Sequence, residues 1–389
     1  MTSEVRAADV DRPAGSLEPS FRDVVRDFLA SADVQAELTL LDRLEPGQEP
    51  GHSGIYRMLG ERAWLAVNWP REYGGLDRSA LDAATVAEEL ALAGIPDVAH
   101  VLSIDIVGSF VLMAGTAAQK ARFLPALARG EQLAGVLYTE PGIGSDLSAL
   151  RTTAEREGSG WRISGRKIYS QKSQFAGVGL CAARTADSEG SGITLFMVDM
   201  AAAGIRIAPI WNATEERFDD VTLDVRVAAE DVIGPVHAGF EVLNTVLALE
   251  RTAIDYQGRV RRWFNQIRAA YTASAARTDT LDSRFRDLDT RIRAGRLLAY
   301  EAVAAIDAQA VDPAVSARAK WYNTELAAEV VDLGLEVTGL LGTVTRWDGE
   351  PGWRQTIEAM YRESPGLTLS AGTSEIMLKV VATFMGLGA

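Results

Sequence analysis

The chain has 389 residues, of which 47% are hydrophobic and 24% charged, and its formal net charge is −14 at pH 7. That length exceeds one compact core, so two or three domains or layers of ordinary globular composition are expected. The acidic balance, with no long Lys/Arg run, excludes a broad nucleic-acid or anionic-membrane face, while a small anionic ligand held by a few amides and arginines stays open.

Residues 1–19 are polar, carry Pro and Gly and show no apolar period, as expected of a flexible N-terminus. Helical spacing begins near Ser20, with Phe21, Val24, Val25, Phe28 and Leu29 at three- and four-residue steps, and continues to Leu44. Residues 52–64 repeat it, Asn68-Trp69-Pro70 breaks it, and Glu72-Tyr73-Gly74-Gly75 reads as a turn. Helices are predicted near 79–93, 98–114 and 116–129. From 131 to 235 short apolar runs such as Ile193-Thr194-Leu195-Phe196-Met197-Val198 alternate with Gly, Ser and Asp, the pattern of a small β-barrel or sandwich. Helical spacing returns over roughly 240–272, 283–309, 314–338 and 372–386, as in a helix bundle. The expected fold is therefore mainly α with a central β domain, divided as 1–19, 20–130, 131–235 and 236–389.

Cys181 is the one cysteine, so no intramolecular disulfide forms, and its apolar neighbours predict a buried, inert thiol. His52, His100 and His237 have no partners at ligand spacing, and no metal site is expected. No signal peptide and no 18-residue apolar run are seen, which predicts a cytoplasmic protein.

The most informative segment is Tyr138-Thr139-Glu140-Pro141-Gly142-Ile143-Gly144-Ser145-Asp146. Its proline and glycines make a tight loop with uncovered amides, and with the Thr139 and Ser145 hydroxyls these can grip a ring carbonyl edge or a phosphate. A plain β-turn is the bland alternative. The segment resembles the Thr-Glu-Pro-x-x-Gly-Ser-Asp signature of acyl-CoA dehydrogenases. Glu72–Leu76, Gly165–Ser170, Asp224–Val227 with Gly234, and Ala371–Ile376 are similar to further segments of that family, in the same order from about residue 20 to 387.

The resemblance implies an N-terminal helical domain, a small β domain and a C-terminal four-helix bundle, with FAD as cofactor. It implies flavin-dependent α,β-dehydrogenation of an acyl thioester, of CoA or a carrier protein: a base takes the α proton and flavin N5 takes the β hydride. The site must stabilise developing enolate charge and supply a carboxylate of raised basicity. By resemblance, Tyr138, Thr139, Gly144, Ser145, Tyr169, Ser170, Gln171, Thr373 and Glu375 fall at flavin contacts. Ser145, Arg251, Ala371 and Gly372 fall at the substrate, the residue-371 amide meeting the thioester oxygen. Many members carry the base where this chain has Ala371; others carry it in a Glu-Arg pair on the first bundle helix, matched here by Glu250-Arg251. A continuous helix would group Glu250 with Val246, Leu247, Ala253 and Ile254, an apolar face that raises a carboxyl pKa. The alternative is a structural Glu paired with an Arg.

Two departures stand out. The family's Arg-x-x-Phe-Gly motif, which reaches the flavin pyrophosphate across a subunit interface, is missing; the region reads Arg277-Thr278-Asp279-Thr280-Leu281. Glu336 stands where Gln is usual, and an acid weakens a phosphate site. Residues 283–300 are similar to a bacterial branch that acts on steroid side chains and specialised metabolites, some of whose members are heterotetramers. A homo- or hetero-oligomer and an electron-transfer flavoprotein or similar acceptor are the partners implied. A subunit with a shared flavin site, a flavin monooxygenase on the same fold, and a scaffold with a dead pocket stay open.

Overall fold

The computed structural model describes residues 19–44, 48, 54–187, 190–214, 216–250, 252–274, 277–344 and 356–387, without the side chains of 187, 190, 245 and 247–250. The N-terminal segment expected to be flexible lies, apart from residue 19, outside the described residues. The first helix, α1 (Phe21–Leu29), starts at a capping box in which Ser20 and Asp23 bond each other's amides. After it come α2 (Ala32–Asp42), α3 (Gly54–Glu61) and α4 (Ala80–Ala93). Next, α5 (Val98–His100) runs through a wide π stretch at Val101–Gly108 into α6 (Ser109–Ala114), and α7 (Ala117–Ala128) completes the first helical group. Gly108 is needed where it is: a Cβ there would stand 2.2 Å from the Trp69 ring.

The strands are β1 (Leu133–Leu137), β2 (Thr153–Glu157), β3 (Gly160–Gln171), β4 (Ala176–Asp187), β5 (Gly190–Asp199), β6 (Ile205–Trp211), β7 (Arg217–Val227) and β8 (Val232–Ile233). They form one sheet in the order β6-β7-β3-β2-β4-β5-β8, with β1 added parallel to β4. The two-residue period of a strand divides the side chains cleanly. Val178, Leu180 and Ala182 join the core of the helical domain, whereas Cys181, Ala183, Phe196 and Val198 meet Trp161, Ile163, Val221 and Leu223 in a core of their own. Cys181 is fully buried, and burial pushes its thiol up to about 11, so it is inert.

The bundle contains α8 (Gly239–Glu250), α9 (Ile254–Ala273), α10 (Asp279–Asp307), α11 (Pro313–Thr338), α12 (Ile357–Leu369) and α13 (Ser374–Phe384). Its core is built on Trp263, Phe264, Ile267, Leu288, Ile292, Val330 and Val331. The continuous helix predicted over 240–272 is broken. Ala253 adopts a left-handed φ of 64°, and its small side chain packs against Ala302 and Ala319, so the backbone comes close to α10 and α11. Consequently Glu250 ends α8 and does not share a helical face with Ala253 and Ile254. Helix α12 escaped the periodicity because Pro365 and Gly366 sit inside it. Helix α10 starts earlier than expected because the Thr278 hydroxyl caps the Leu281 amide.

One buried carboxylate joins three of these helices. Glu88 on α4 accepts Arg296 through both oxygens (2.5 and 2.9 Å), the Tyr300 hydroxyl (2.7 Å), and Arg22 from α1 (2.7 Å). Burial alone would raise its pKa, but Arg296, Arg22 and Tyr300 hold it below the ordinary value. Glu88→Ala leaves two guanidiniums without their shared partner and should destabilise by about 3 kcal/mol, read from urea denaturation at pH 7. Because the folded pKa is depressed, this contribution is present above the unfolded carboxyl pKa. It fades as pH falls through the folded one, so the gap between wild type and variant should narrow in acid.

Candidate active site

The two segments singled out around residues 138–146 and 165–171 lie side by side. The Ile168 amide donates to the Thr139 carbonyl at 2.9 Å. Beneath that contact, Lys167 Nζ donates to the Glu140 carboxylate at 2.8 Å and to the Tyr138 carbonyl at 3.1 Å. Glu140 also accepts the amides of Arg151 (2.6 Å) and Thr152 (2.9 Å). Both ends of the pair are buried. Burial would raise the Glu140 pKa, yet Lys167, Thr152 and Arg151 together hold it below the ordinary value.

The loop closes on itself through reciprocal Glu140 and Ile143 backbone bonds of 2.9 Å, with Gly142 at φ 81°. A Cβ added at Gly142 or Gly144 would meet nothing within 4 Å, so this side of the loop is open, with Gly144 and Ser145 on its exposed rim. Tyr169, at a bulge in β3 with φ 56°, is 58% exposed and edge-on to Phe218. Thr139 and Gln171 are half-buried. Other side chains point elsewhere. The Tyr138 ring packs against Phe110 in the helical core, and the Ser170 hydroxyl bonds the Val136 carbonyl and Ser173. At these two positions only the backbone remains for a ligand.

The C-terminal segment is a tight link between α12 and α13. Ala371 and Gly372 have φ of 51° and 97°. The Thr373 hydroxyl caps the Ile376 amide, and Glu375 is lowered by its own amide and by Thr373. Ala371 also lines a cleft of about 190 Å³ between the π stretch, α4, α9 and α10. Ala80, Ala83, Ala84, Ile104, Val303 and Ile306 supply its apolar lining, Asn68, His100, Ser109 and Tyr256 are among its polar lining, and Thr252 and Ile254 follow α8 in the chain. The side chain of Glu250 and the whole of Arg251 lie outside the described residues. The structure thus groups the two flavin-type segments with each other, and Ala371 with the residues just after Glu250.

Two acids of this cleft were missed in the sequence. Asp105 and Asp255 both line it. Burial raises the Asp105 carboxyl, with Asp97 adding to the effect and His100, 3.5 Å away, opposing it. Burial and then Asp97 push Asp255 up to about 7, against Arg259 and the Tyr256 amide. Arg259 is itself held by Asp97 (2.7 and 2.8 Å) and Glu363 (2.5 Å). The signal available was Asp105 standing alone in the apolar run Val101–Met113. At the departures noted in the sequence, Arg277 pairs with Asp282 at 3.4 Å and Glu336 pairs with Arg284.

Residues 18–131, 135–224 and 237–386 match the models described as the N-terminal, middle and C-terminal domains of acyl-CoA dehydrogenase. Acyl-CoA dehydrogenase FadE26 of Mycobacterium tuberculosis is 32% identical over 355 residues, covering 86% of this chain and 88% of the relative. Among solved structures, the steroid ACAD Tcur3481-Tcur3483 superposes with a TM-score of 0.83 at 27% identity, covering 98% of this chain and 99% of that one. A chain of the ChsE4-ChsE5 complex from Mycobacterium tuberculosis does so with a TM-score of 0.82 at 27% identity, covering 97% and 100%. The chain belongs to the acyl-CoA dehydrogenase family, whose members are flavin-dependent oxidoreductases acting on acyl thioesters.

Proposed function

We propose that this chain converts a saturated acyl thioester to the trans-2-enoyl thioester, with Glu250 removing the α proton. The observation that carries this reading is the cleft beside Ala371, whose wall includes Thr252 and Ile254, two and four residues beyond Glu250. With Ala at 371 no carboxylate comes from the C-terminal link, and the chain reaches the cleft wall at Thr252, two residues after Glu250. The amide of residue 371 is available to the thioester oxygen whatever the side chain, and it stabilises the charge that builds up as the proton leaves. The apolar side chains of the lining take the acyl chain.

The ring half of FAD fits the residues present: the open, exposed side of the loop at Gly142, Gly144 and Ser145, with an exposed Tyr169, offers a polar edge and an aromatic face. FAD, when bound, supplies the hydride acceptor. Thr139, Gly144, Ser145 and the backbone at 169–171 would hold the ring, and Thr373 and Glu375 would lie toward the adenine half. Reoxidation is assigned to an electron-transfer flavoprotein or a similar acceptor.

A second reading concerns the diphosphate. Arg277 is paired with Asp282, and Glu336 with Arg284, so neither departure position offers a spare cation. This favours a flavin site completed by another chain, an arrangement in keeping with the similarity to a chain of the ChsE4-ChsE5 complex. Purification of the chain alone and with candidate partner subunits, with flavin content measured by absorbance, decides between the two. A yellow, active protein from this chain alone removes the second reading.

Glu250→Gln should lower turnover by at least about a thousandfold while flavin content and melting temperature stay at wild-type values; full activity in that variant sinks the assignment. Lys167→Met leaves the Glu140 carboxylate buried without its cation. It should destabilise by about 3 kcal/mol and reduce retained flavin, read by thermal melting and the visible absorbance per chain. An apolar acyl chain packed over Asp255 favours its protonated form. Binding of a saturated thioester should therefore be tighter at pH 6 than at pH 8, with the change centred near 7. Asp255→Asn should flatten that profile in equilibrium binding measurements.

A further inference from the structure

The link that presents Ala371 to the cleft is gripped from below by a lysine. Lys320 on α11 is fully buried. Its Nζ donates to the Gly372 carbonyl at 2.8 Å and to the Leu367 carbonyl at 3.1 Å. These two acceptors flank Ala371, four residues before it and one residue after. The same ammonium lies 5.9 Å from the centre of the Tyr256 ring, whose hydroxyl is 3.1 Å from Ser370 Oγ. Glu325, five residues further along α11, accepts from the Ser374 hydroxyl. Every residue of the link except Ala371 itself is therefore bound, directly or next door, to α9 or α11 or to the cap of α13.

This arrangement has a physical purpose beyond packing. Two consecutive residues with positive φ, one of them an alanine, form a link that relaxes unless it is held from outside. A lysine buried beneath main-chain carbonyls is itself disfavoured unless those bonds are made, so the ammonium and the link hold each other in place. A hydrogen-bond donor acts on a developing oxyanion only if it is already in position, and a misplacement of about 1 Å can cost about 100-fold in rate.

We propose that Lys320 is the positioning residue of the 370–373 link, fixing the Ala371 amide at the cleft wall where the thioester oxygen gains charge. This rests on the thioester reading above. It adds a residue that touches neither substrate nor flavin and acts only through the main chain.

The test uses the flavin-loaded protein, with its partner chain if one is needed, as wild type and as Lys320→Met, which keeps the length of the side chain. Two readouts are taken on the same samples. The first is exchange of the α proton with solvent deuterium in a thioester carrying sulfur at the β position, where no hydride can leave. The second is backbone hydrogen exchange over residues 367–375. In Lys320→Met the α exchange should fall roughly tenfold or more, with thioester affinity and flavin content unchanged, and the 367–375 amides should lose protection. Wild-type α exchange in the variant, or unchanged protection of the link, overturns the proposal. If the wild type shows no α exchange at all, the thioester reading fails, and protection of the link alone decides whether Lys320 holds it. If Lys320→Met does not fold, Lys320→Gln is measured instead. It can still donate to one carbonyl, so partial loss on both readouts supports the proposal and wild-type behaviour overturns it.

Discussion

The buried ion pair of Lys167 and Glu140 is the contact on which the surface proposed for the flavin depends. It joins a loop that leaves β1 to a bulge in β3, two pieces separated by almost thirty residues of chain. Two charges taken out of water gain little on balance by attracting each other, and such a pair is weak evidence for stability. What it provides is a fixed register. Glu140 accepts three donors, the adjacent Arg151 and Thr152 amides and the Lys167 ammonium, and Lys167 returns a bond to the Tyr138 carbonyl. The open side of the glycine loop and the exposed face of Tyr169 therefore keep a constant relation. The glutamate in the Thr-Glu-Pro string thus faces inward, while the residues around it face out.

The same division of labour recurs at the cleft. Its apolar side chains come mainly from α4, the π stretch and α10, while its polar groups include Asp105 of the π stretch, Ser109 of α6 and Thr252, Asp255 and Tyr256 where α9 begins. The break at Ala253 makes this possible. An unbroken helix through residues 250–254 would continue as one rod; the left-handed alanine interrupts it, and α9 begins along the cleft wall with Ile254 and Asp255. Asp105 and Asp255 add carboxyls whose pKa burial raises, that of Asp255 to about 7, so the cleft is less purely apolar than its alanines suggest.

How much of this was legible depended on the range of the interaction. The order of helices, strands and helices followed from local periodicity, and most boundaries fell within a few residues because caps such as Ser20 and Thr116 are local too. The failures were also local in origin. Pro365-Gly366 hid α12, and the pattern through 240–272 carried no sign of a left-handed residue. Ser170 and Tyr138 belong to recognisable segments, yet their side chains turn to Val136 and Phe110, contacts made by residues about thirty positions away.

The amino-acid sequence by itself determined the class of fold, the family resemblance and the candidate residues, since each is carried by short strings and by spacing within single elements. Only the tertiary structure decided that Glu140 is bound to Lys167, that Lys320 lies under the link bearing Ala371, and that Asp255 and Asp105 share one cleft. These are pairings across long stretches of chain, and their energetics depend on burial. A lysine, an aspartate or a glutamate reads in sequence as a solvated surface group until the fold removes the water around it.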